Sequence, residues 1–302
     1  MNRRNFIKNS ISGASALTLK PEFMKNLTQD YELIILATNW GFGGSLENFI
    51  KKAQKDGYNG VELWWPADKK DQEALKSLIT KYDMKLGFLC GAWTTDFKTH
   101  FSNFSKSLNA LLSSDFQPLY VNCHAGKDYF SFEENSQIVD FCIKKMKETG
   151  VKILQETHRS RMCFSTVATR NLLEKFPEMK LTLDISHWCN VHESLLDDQK
   201  ETVSLALSNT AHIHARIGHE EGPQVNDPRA PEWKTHLDKH LDWWDQVVKN
   251  RLEAGAKKIT FLTEFGPPTY LPALPYTRQP LADQWEINVF MKNLLQERYG
   301  KK

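Results

Sequence analysis

Short, almost unbroken apolar runs recur along this chain as YELIILA, GVELWW, KLGFLC, PLYVNCH, VKILQE, LTLDI, AHIHARI and KITFLTE. Runs of this kind, lacking the polar alternation of a half-exposed strand, predict strands buried on both faces, as in a parallel sheet. Between them lie SLENFIKKAQKDG, DQEALKSLITKYD, FSNFSKSLNALL, DFCIKKMKETG, FSTVATRNLLEKF, ETVSLALSN, WKTHLDKHLDWWDQVVKNRLEAG and QWEINVFMKNLLQERYG, which predict helices. SLENFIKKAQKDG and DFCIKKMKETG end on glycine with lysines in the last turns, a helix C-terminal pattern. Strands alternating with helices eight times predict an α/β chain folded as a single-domain (β/α)8 TIM barrel. A doubly wound open sheet is the alternative that alternation alone permits.

Four strand-like runs end on metal-ligand residues: Glu156 in VKILQE, Asp184 in LTLD, His214 in AHIH and Glu264 in ITFLTE. A barrel presents the residues at its strand ends to one shared mouth, so these side chains are expected to converge. Three carboxylates and one imidazole make an oxygen-rich donor set suited to Mn2+, Mg2+ or Co2+, with Zn2+ as a further candidate. Such an ion polarises a carbonyl and stabilises the enediolate formed when a neighbouring C–H proton leaves. Glu156 and Glu264, approaching from different strands, are the candidate acid and base.

Residues near these four extend the pattern. His187, three past Asp184, and Arg216, two past His214, are candidate substrate-binding groups, the latter on the same strand face as His214. Glu62 and His124 occupy corresponding strand ends in VELWW and NCHAG. Trp188, with Trp40, Trp64 and Trp65, is a candidate aromatic surface for sugar C–H groups. Arg159 and Arg161 in THRSR are equally compatible with binding an anion and with a solvated loop. His212 is expected on the strand face opposite His214, the Trp243–Trp244 pair in the core, and His219, His236 and His240 at the surface or in loops. GHEEGPQVNDPRAPEW, rich in glycine and proline, reads as a long loop over the barrel mouth and a candidate lid.

Composition narrows the function. A formal charge of +2, from 39 basic and 37 acidic residues, gives no general attraction to nucleic acid or anionic membrane. Five cysteines, an odd number, read as buried thiols rather than a disulfide framework. Residues 1–28 stand apart: MNRRNFIK, followed by ISGASALTL, is similar to a twin-arginine export signal and linker. That similarity predicts a periplasmic location, with a basic tail on a cytoplasmic protein as the alternative. The barrel is expected over residues 29–302.

The ordered set Glu156, Asp184-x-x-His187, His214 and Glu264 resembles the xylose isomerase-like TIM-barrel superfamily, often described as sugar phosphate isomerases/epimerases. Its members include ketose 3-epimerases, hydroxypyruvate isomerases, inosose dehydratases and type IV AP endonucleases. The resemblance covers nearly all of the chain after the export segment. It implies one divalent ion held by Glu156, Asp184, His214 and Glu264, proton exchange by the two glutamates, and a sugar bound by His187 and an arginine. Here that arginine stands two residues past the histidine, where the epimerases have it six past, a difference that bears on substrate geometry. The nuclease branch fits less well, since FLCGAW lacks its third-strand histidine and Asp227-Pro228-Arg229 replaces its Asp-x-His. Three functions remain: a metal-dependent sugar isomerase or epimerase; a lyase or dehydratase on keto-sugars or 3-keto-glycosides; and a non-catalytic sugar-binding barrel. Each takes a small sugar as partner, and each is compatible with a homo-oligomer.

Overall fold

The computed structural model describes residues 20–25 and 30–301. The twin-arginine motif and its apolar stretch lie outside the described residues. Of the proposed leader and linker, only the end is seen, where Glu22–Lys25 form one helical turn and Lys20 Nζ donates to the Gly300 carbonyl.

The eight strands form where the apolar runs predict them: β1 Glu32–Thr38, β2 Gly60–Trp64, β3 Lys85–Gly91, β4 Val121–His124, β5 Ile153–Glu156, β6 Lys180–Leu183, β7 Thr210–Ala215 and β8 Lys258–Thr263. Each pairs in parallel with the next, and β8 pairs with β1, closing a barrel in sequence order. This excludes the open doubly wound sheet. The helices are α1 Leu46–Lys55, α2 Lys69–Lys81, α3 Phe97–Leu112, α4 Phe132–Thr149, α5 Thr166–Lys175, α6 Ser186–Val191, α7 Lys200–Ser208, α8 Lys234–Glu253 and α9 Gln284–Tyr299. Helix α6 was not predicted; it is a short insertion directly after β6.

Local chemistry starts and stops these helices. Ser45, Asp68, Asp96, Ser165 and Asp283 cap α1, α2, α3, α5 and α9 by accepting a backbone N–H. Each such cap contributes about 1 kcal/mol. Ser131 and Glu134 cap α4 reciprocally, and Gly150 ends that helix at φ 73°, where a β-carbon would be strained.

Two apolar layers hold the barrel. The larger lies between strands and helices and includes Phe49, Phe104, Trp244 and Met291. Trp243 and Trp244 pack inward from α8 as expected, and all five cysteines are free and buried. Inside the barrel, Ile34, Leu36 and Leu262 form a separate, fully buried cluster. Around the inner wall stand Glu62, Tyr120, Asn122, Glu156, His212 and His214, all buried. A change of register between β6 and β7, from Leu181↔Thr210 to Thr182↔His212, leaves Ala211 as an extra residue.

Candidate active site

The barrel brings Glu156, Asp184, His214 and Glu264 together, with one potential ligand atom from each lying within 4.8 Å of the others. Glu156 ends β5 and His214 sits near the end of β7, while Asp184 and Glu264 are the first residues beyond β6 and β8. An octahedral shell with bonds of about 2.1 Å spans about 4.2 Å between opposite ligand atoms, a separation of the order found in this cluster.

The four carboxyl and imidazole groups have unlike surroundings. Glu156 Oε2 lies 2.6 Å from His124 Nε2 and accepts from Asn122 Nδ2 at 2.6 Å. Its Oε1 is buried without a hydrogen-bond partner, 3.8 Å from His214 Nδ1. Burial works to raise the Glu156 pKa, but the imidazoles of His124 and His214 prevail and hold it well below the usual carboxylate range. Asp184 behaves oppositely. Burial pushes it up to about 6 against the pull of Arg216, with help from the Glu264 and Glu156 charges.

His214 is set between carboxylates. Its Nδ1 is 2.9 Å from Glu264 Oε2, and its Nε2 is 3.2 Å from Glu62 Oε1. Burial disfavours the imidazolium, yet Glu264, Glu62 and Glu156 raise its pKa well above the ordinary value. An incoming cation at Nδ1 would therefore displace a proton. Tyr120 donates to Glu62 Oε2 at 2.6 Å, which fixes the carboxylate beneath the ring. Carboxylates placed behind a metal-ligating histidine orient the ring and raise its basicity.

Arg216 enters this cluster from beyond β7. Its Nη2 donates to Asp184 and lies 2.9 Å from His187 Nε2 and 3.4 Å from Glu264 Oε2. The Nη1 atom is buried and has no hydrogen-bond partner. His187 is buried at the start of α6, and burial drives its pKa well down.

Above these groups opens a cavity of about 270 Å³, lined by Thr38, Asn39, Trp40, Trp64, Leu89, Trp93, His124, His158, Arg161, Arg216, Glu264 and Tyr270. Glu264 is thus the glutamate of the pair that reaches the cavity wall, its side chain 12% exposed against 0% for Glu156. Trp40 reaches the mouth by lying against Gly266, where an added β-carbon would come within 2.3 Å of the indole.

Several sequence expectations are corrected. Trp188 is fully buried and donates its indole N–H to the Cys163 carbonyl at 3.0 Å; it does not line the cavity. Trp65 packs edge-on to Phe88 and Phe116 in the outer layer. Trp40 and Trp64 do line the cavity, with Trp93 and Tyr270. His212 shares the inner face with His214, as a two-residue separation on a strand requires, and its Nε2 lies 2.8 Å from Tyr120 Oη. His240 is buried in α8, accepting from Gly218 N at 3.2 Å. The loop from Gly218 to Trp233 contributes no cavity-lining residue. Its Gln224 binds Gly266 through N at 2.7 Å and O at 3.2 Å, tying the loop to the chain beyond β8.

Sequence reasoning also passed over His158, whose ring lies 4.0 Å from that of His187 and whose pKa burial lowers to about 3. The signal was present, since His158 follows Glu156 by two in QETHRSR. Tyr270, in a proline-rich stretch with no strand or helix period, carried none.

No protein-family model and no curated protein matches the chain. Solved structures do. A xylose isomerase-like TIM barrel protein from Mycobacterium smegmatis, in complex with magnesium, aligns with TM-score 0.59 at 11% identity, covering 88% of this chain and 96% of that one. The 3-keto-D-glucoside 4-epimerase YcjR from E. coli aligns with TM-score 0.56 at 13% identity over 88% and 99%. The probable 3-DHS dehydratase AsbF from Bacillus anthracis gives 0.54 at 16% identity over 88% and 99%. At these identities what is shared is the architecture: the chain has the (β/α)8 fold of the xylose isomerase-like TIM-barrel proteins.

Proposed function

We propose that this protein is a metal-dependent isomerase or epimerase of a keto-sugar, working through an enediolate with Glu156 and Glu264 as acid and base. The observation that carries the reading is the convergence of four ligand atoms within 4.8 Å below a cavity that Glu264 lines. Three carboxylates with one imidazole fit Mn2+, Mg2+ or Co2+ best. Such an ion, when bound, supplies Lewis-acid polarisation of the substrate carbonyl.

The chain's own residues do the rest. Glu264, at the cavity wall, takes the proton from the carbon beside the carbonyl. His124 and Asn122 both engage Glu156 Oε2 and leave Oε1 free; since the neighbouring imidazoles hold Glu156 ionised, it returns a proton through Oε1 only after taking one up during the cycle. Arg216 lines the cavity with an undonated Nη1, a hydrogen-bond donor for an oxygen on which negative charge develops. The indoles of Trp64 and Trp93, both exposed at the cavity mouth, offer apolar surface for sugar C–H groups. Export by the twin-arginine route belongs to the same proposal, with the ion loaded before translocation.

A second reading, elimination by a lyase or dehydratase, draws on the unequal exposure of the two glutamates. One cavity-facing base suffices to remove a proton when the next carbon carries a leaving group, and no second face of the enediolate need be served.

Turnover of a ketohexose and of a 3-keto-glucoside in D2O, by the Mn2+-loaded protein and its Glu264→Gln variant, tests these readings. Epimerisation retains mass apart from deuterium uptake, whereas elimination gives an unsaturated product or frees the aglycone. Glu264→Gln is expected to lower turnover by about 10²-fold or more while the fold persists. A variant turning over within a few-fold of wild type would remove Glu264 as the base.

A further inference from the structure

Arg161 brings a positive charge into the cavity wall, and among the described residues no carboxylate forms an ion pair with it. The residue is 7% exposed and lines the cavity beside Trp93 and His158. Its hydrogen bonds run from Nη1 to the neighbouring Ser160, at 3.3 Å to the carbonyl and 3.4 Å to the hydroxyl, both long and both to neutral oxygens. Its Nε is buried without any hydrogen-bond partner. Arg216 shows the contrast, its guanidinium being engaged by Asp184, His187 and Ser186.

The guanidinium is held in place by stacking, its Cζ lying 4.9 Å from the Trp93 ring centroid. Burial works against its charge and outweighs the through-space support of Glu156 and Asp128, and the Lys127 ammonium, disfavoured first by burial, is close enough to be disfavoured by this guanidinium as well. Arg159, which does not line the cavity, lies with its Cζ 4.8 Å from the ring centroid of Tyr270, which does. A buried cationic donor without a partner is costly, and a planar guanidinium matches carboxylate and phosphate geometry.

We propose that Arg161 is a specificity-determining residue that binds an oxyanion on the substrate, so that the sugar taken by this site is acidic, bearing a carboxylate or a phosphate. The proposal rests on the sugar-binding reading given above. A cavity of about 270 Å³ suits one acidic monosaccharide rather than a longer glycan.

Calorimetric binding of D-fructose, D-fructuronate and D-fructose 6-phosphate to the Mn2+-loaded protein tests it, because the three share one ketose frame and differ in charge. At least one acid is expected to bind about tenfold or more tightly than fructose, the range of a charge-assisted hydrogen bond. Preference for fructuronate alone identifies a carboxylate, and preference for the phosphate alone a phosphomonoester. Arg161→Gln should abolish the preference with fructose binding retained, and Arg161→Lys should keep part of it. Inorganic sulfate should compete with the acid but not with fructose on unaltered protein, a test that does not depend on a variant folding. Equal affinity for all three sugars, including no binding of any, overturns the proposal, as does a preference that survives in folded Arg161→Gln. Mn2+ titration separates the two readings: acid preference in a protein that binds no Mn2+ defeats the metal mechanism and leaves the role of Arg161 standing.

Discussion

Replacing Arg216 by methionine removes the guanidinium inserted among the site's carboxylates while keeping an unbranched side chain of similar reach. Arg216 is buried, with its charge shared by Asp184 and Glu264. Breaking a buried ion pair by removing one partner costs about 3–5 kcal/mol. Asp184 offsets part of this by taking up a proton, since burial already places its pKa at about 6 beside the arginine. In EDTA the variant should therefore be less stable than wild type by about 3 kcal/mol. A divalent ion restores the missing positive charge and, at about 1,000 times its Kd, adds about 4 kcal/mol. Urea unfolding followed by tryptophan fluorescence, in EDTA and in Mn2+, measures both terms. Because wild type gains from the ion too, the gap should close to less than about 1 kcal/mol only through tighter binding by the variant, whose Mn2+ Kd is expected about 30-fold below that of wild type. A gap in EDTA below about 1 kcal/mol would mean that the arginine does not neutralise the cluster. No stabilisation of either protein by Mn2+ would mean that the carboxylates do not hold the ion, and equal stabilisation of both would mean that the arginine and the ion do not compete for the same charge.

Acid should destabilise the protein through His240, whose pKa burial pushes down to about 3. A depressed histidine is neutral when folded and protonates when unfolded, so its contribution is intact above about 6.5 and is lost as pH falls toward 3; by pH 5 the loss is about 2 kcal/mol. Urea midpoints of wild type and His240→Gln between pH 7 and pH 5 should show a shallower slope in the variant, and equal slopes would refute the assignment. Changing Arg3 and Arg4 together to lysine should retain the protein in the cytoplasm; unchanged export on cell fractionation would rule out the twin-arginine route. Trp188→Phe should cost about 1–3 kcal/mol by leaving the Cys163 carbonyl unpaired and should leave substrate affinity nearly unchanged, whereas a loss of affinity in the folded variant would return Trp188 to the binding surface.

The barrel was legible because a strand buried on both faces must be apolar at nearly every position, and the runs ending at Glu156, Asp184, His214 and Glu264 mark where that demand stops. Side-chain direction was legible only where a strand supplied a period of two. That period places His212 with His214 on the inner face, and the opposite assignment misapplied it. Beyond the strands no such rule operates. Trp188 turns into the core because one turn of α6 intervenes after Asp184, and nothing in DISHW foretells the helix. Tyr270 arrives from an irregular loop to stack on Arg216 and Arg159. Within the Gly218–Trp233 segment Gln224 bridges to Gly266, a long-range contact that composition does not encode.

Ile34, Leu36 and Leu262 fill part of the barrel interior with a fully buried apolar layer. On the proposed metal-dependent reading, ion and sugar share the mouth of the barrel, and that sharing would impose an order on the kinetics. The ion would enter first, because a sugar already seated would stand in its path. Saturating sugar should slow removal of the ion by a chelator, and excess free ion should not compete with the sugar for entry. Product must also leave before the ion can exchange, so activity lost to chelation during turnover should fall with a rate set by the fraction of molecules caught empty of sugar.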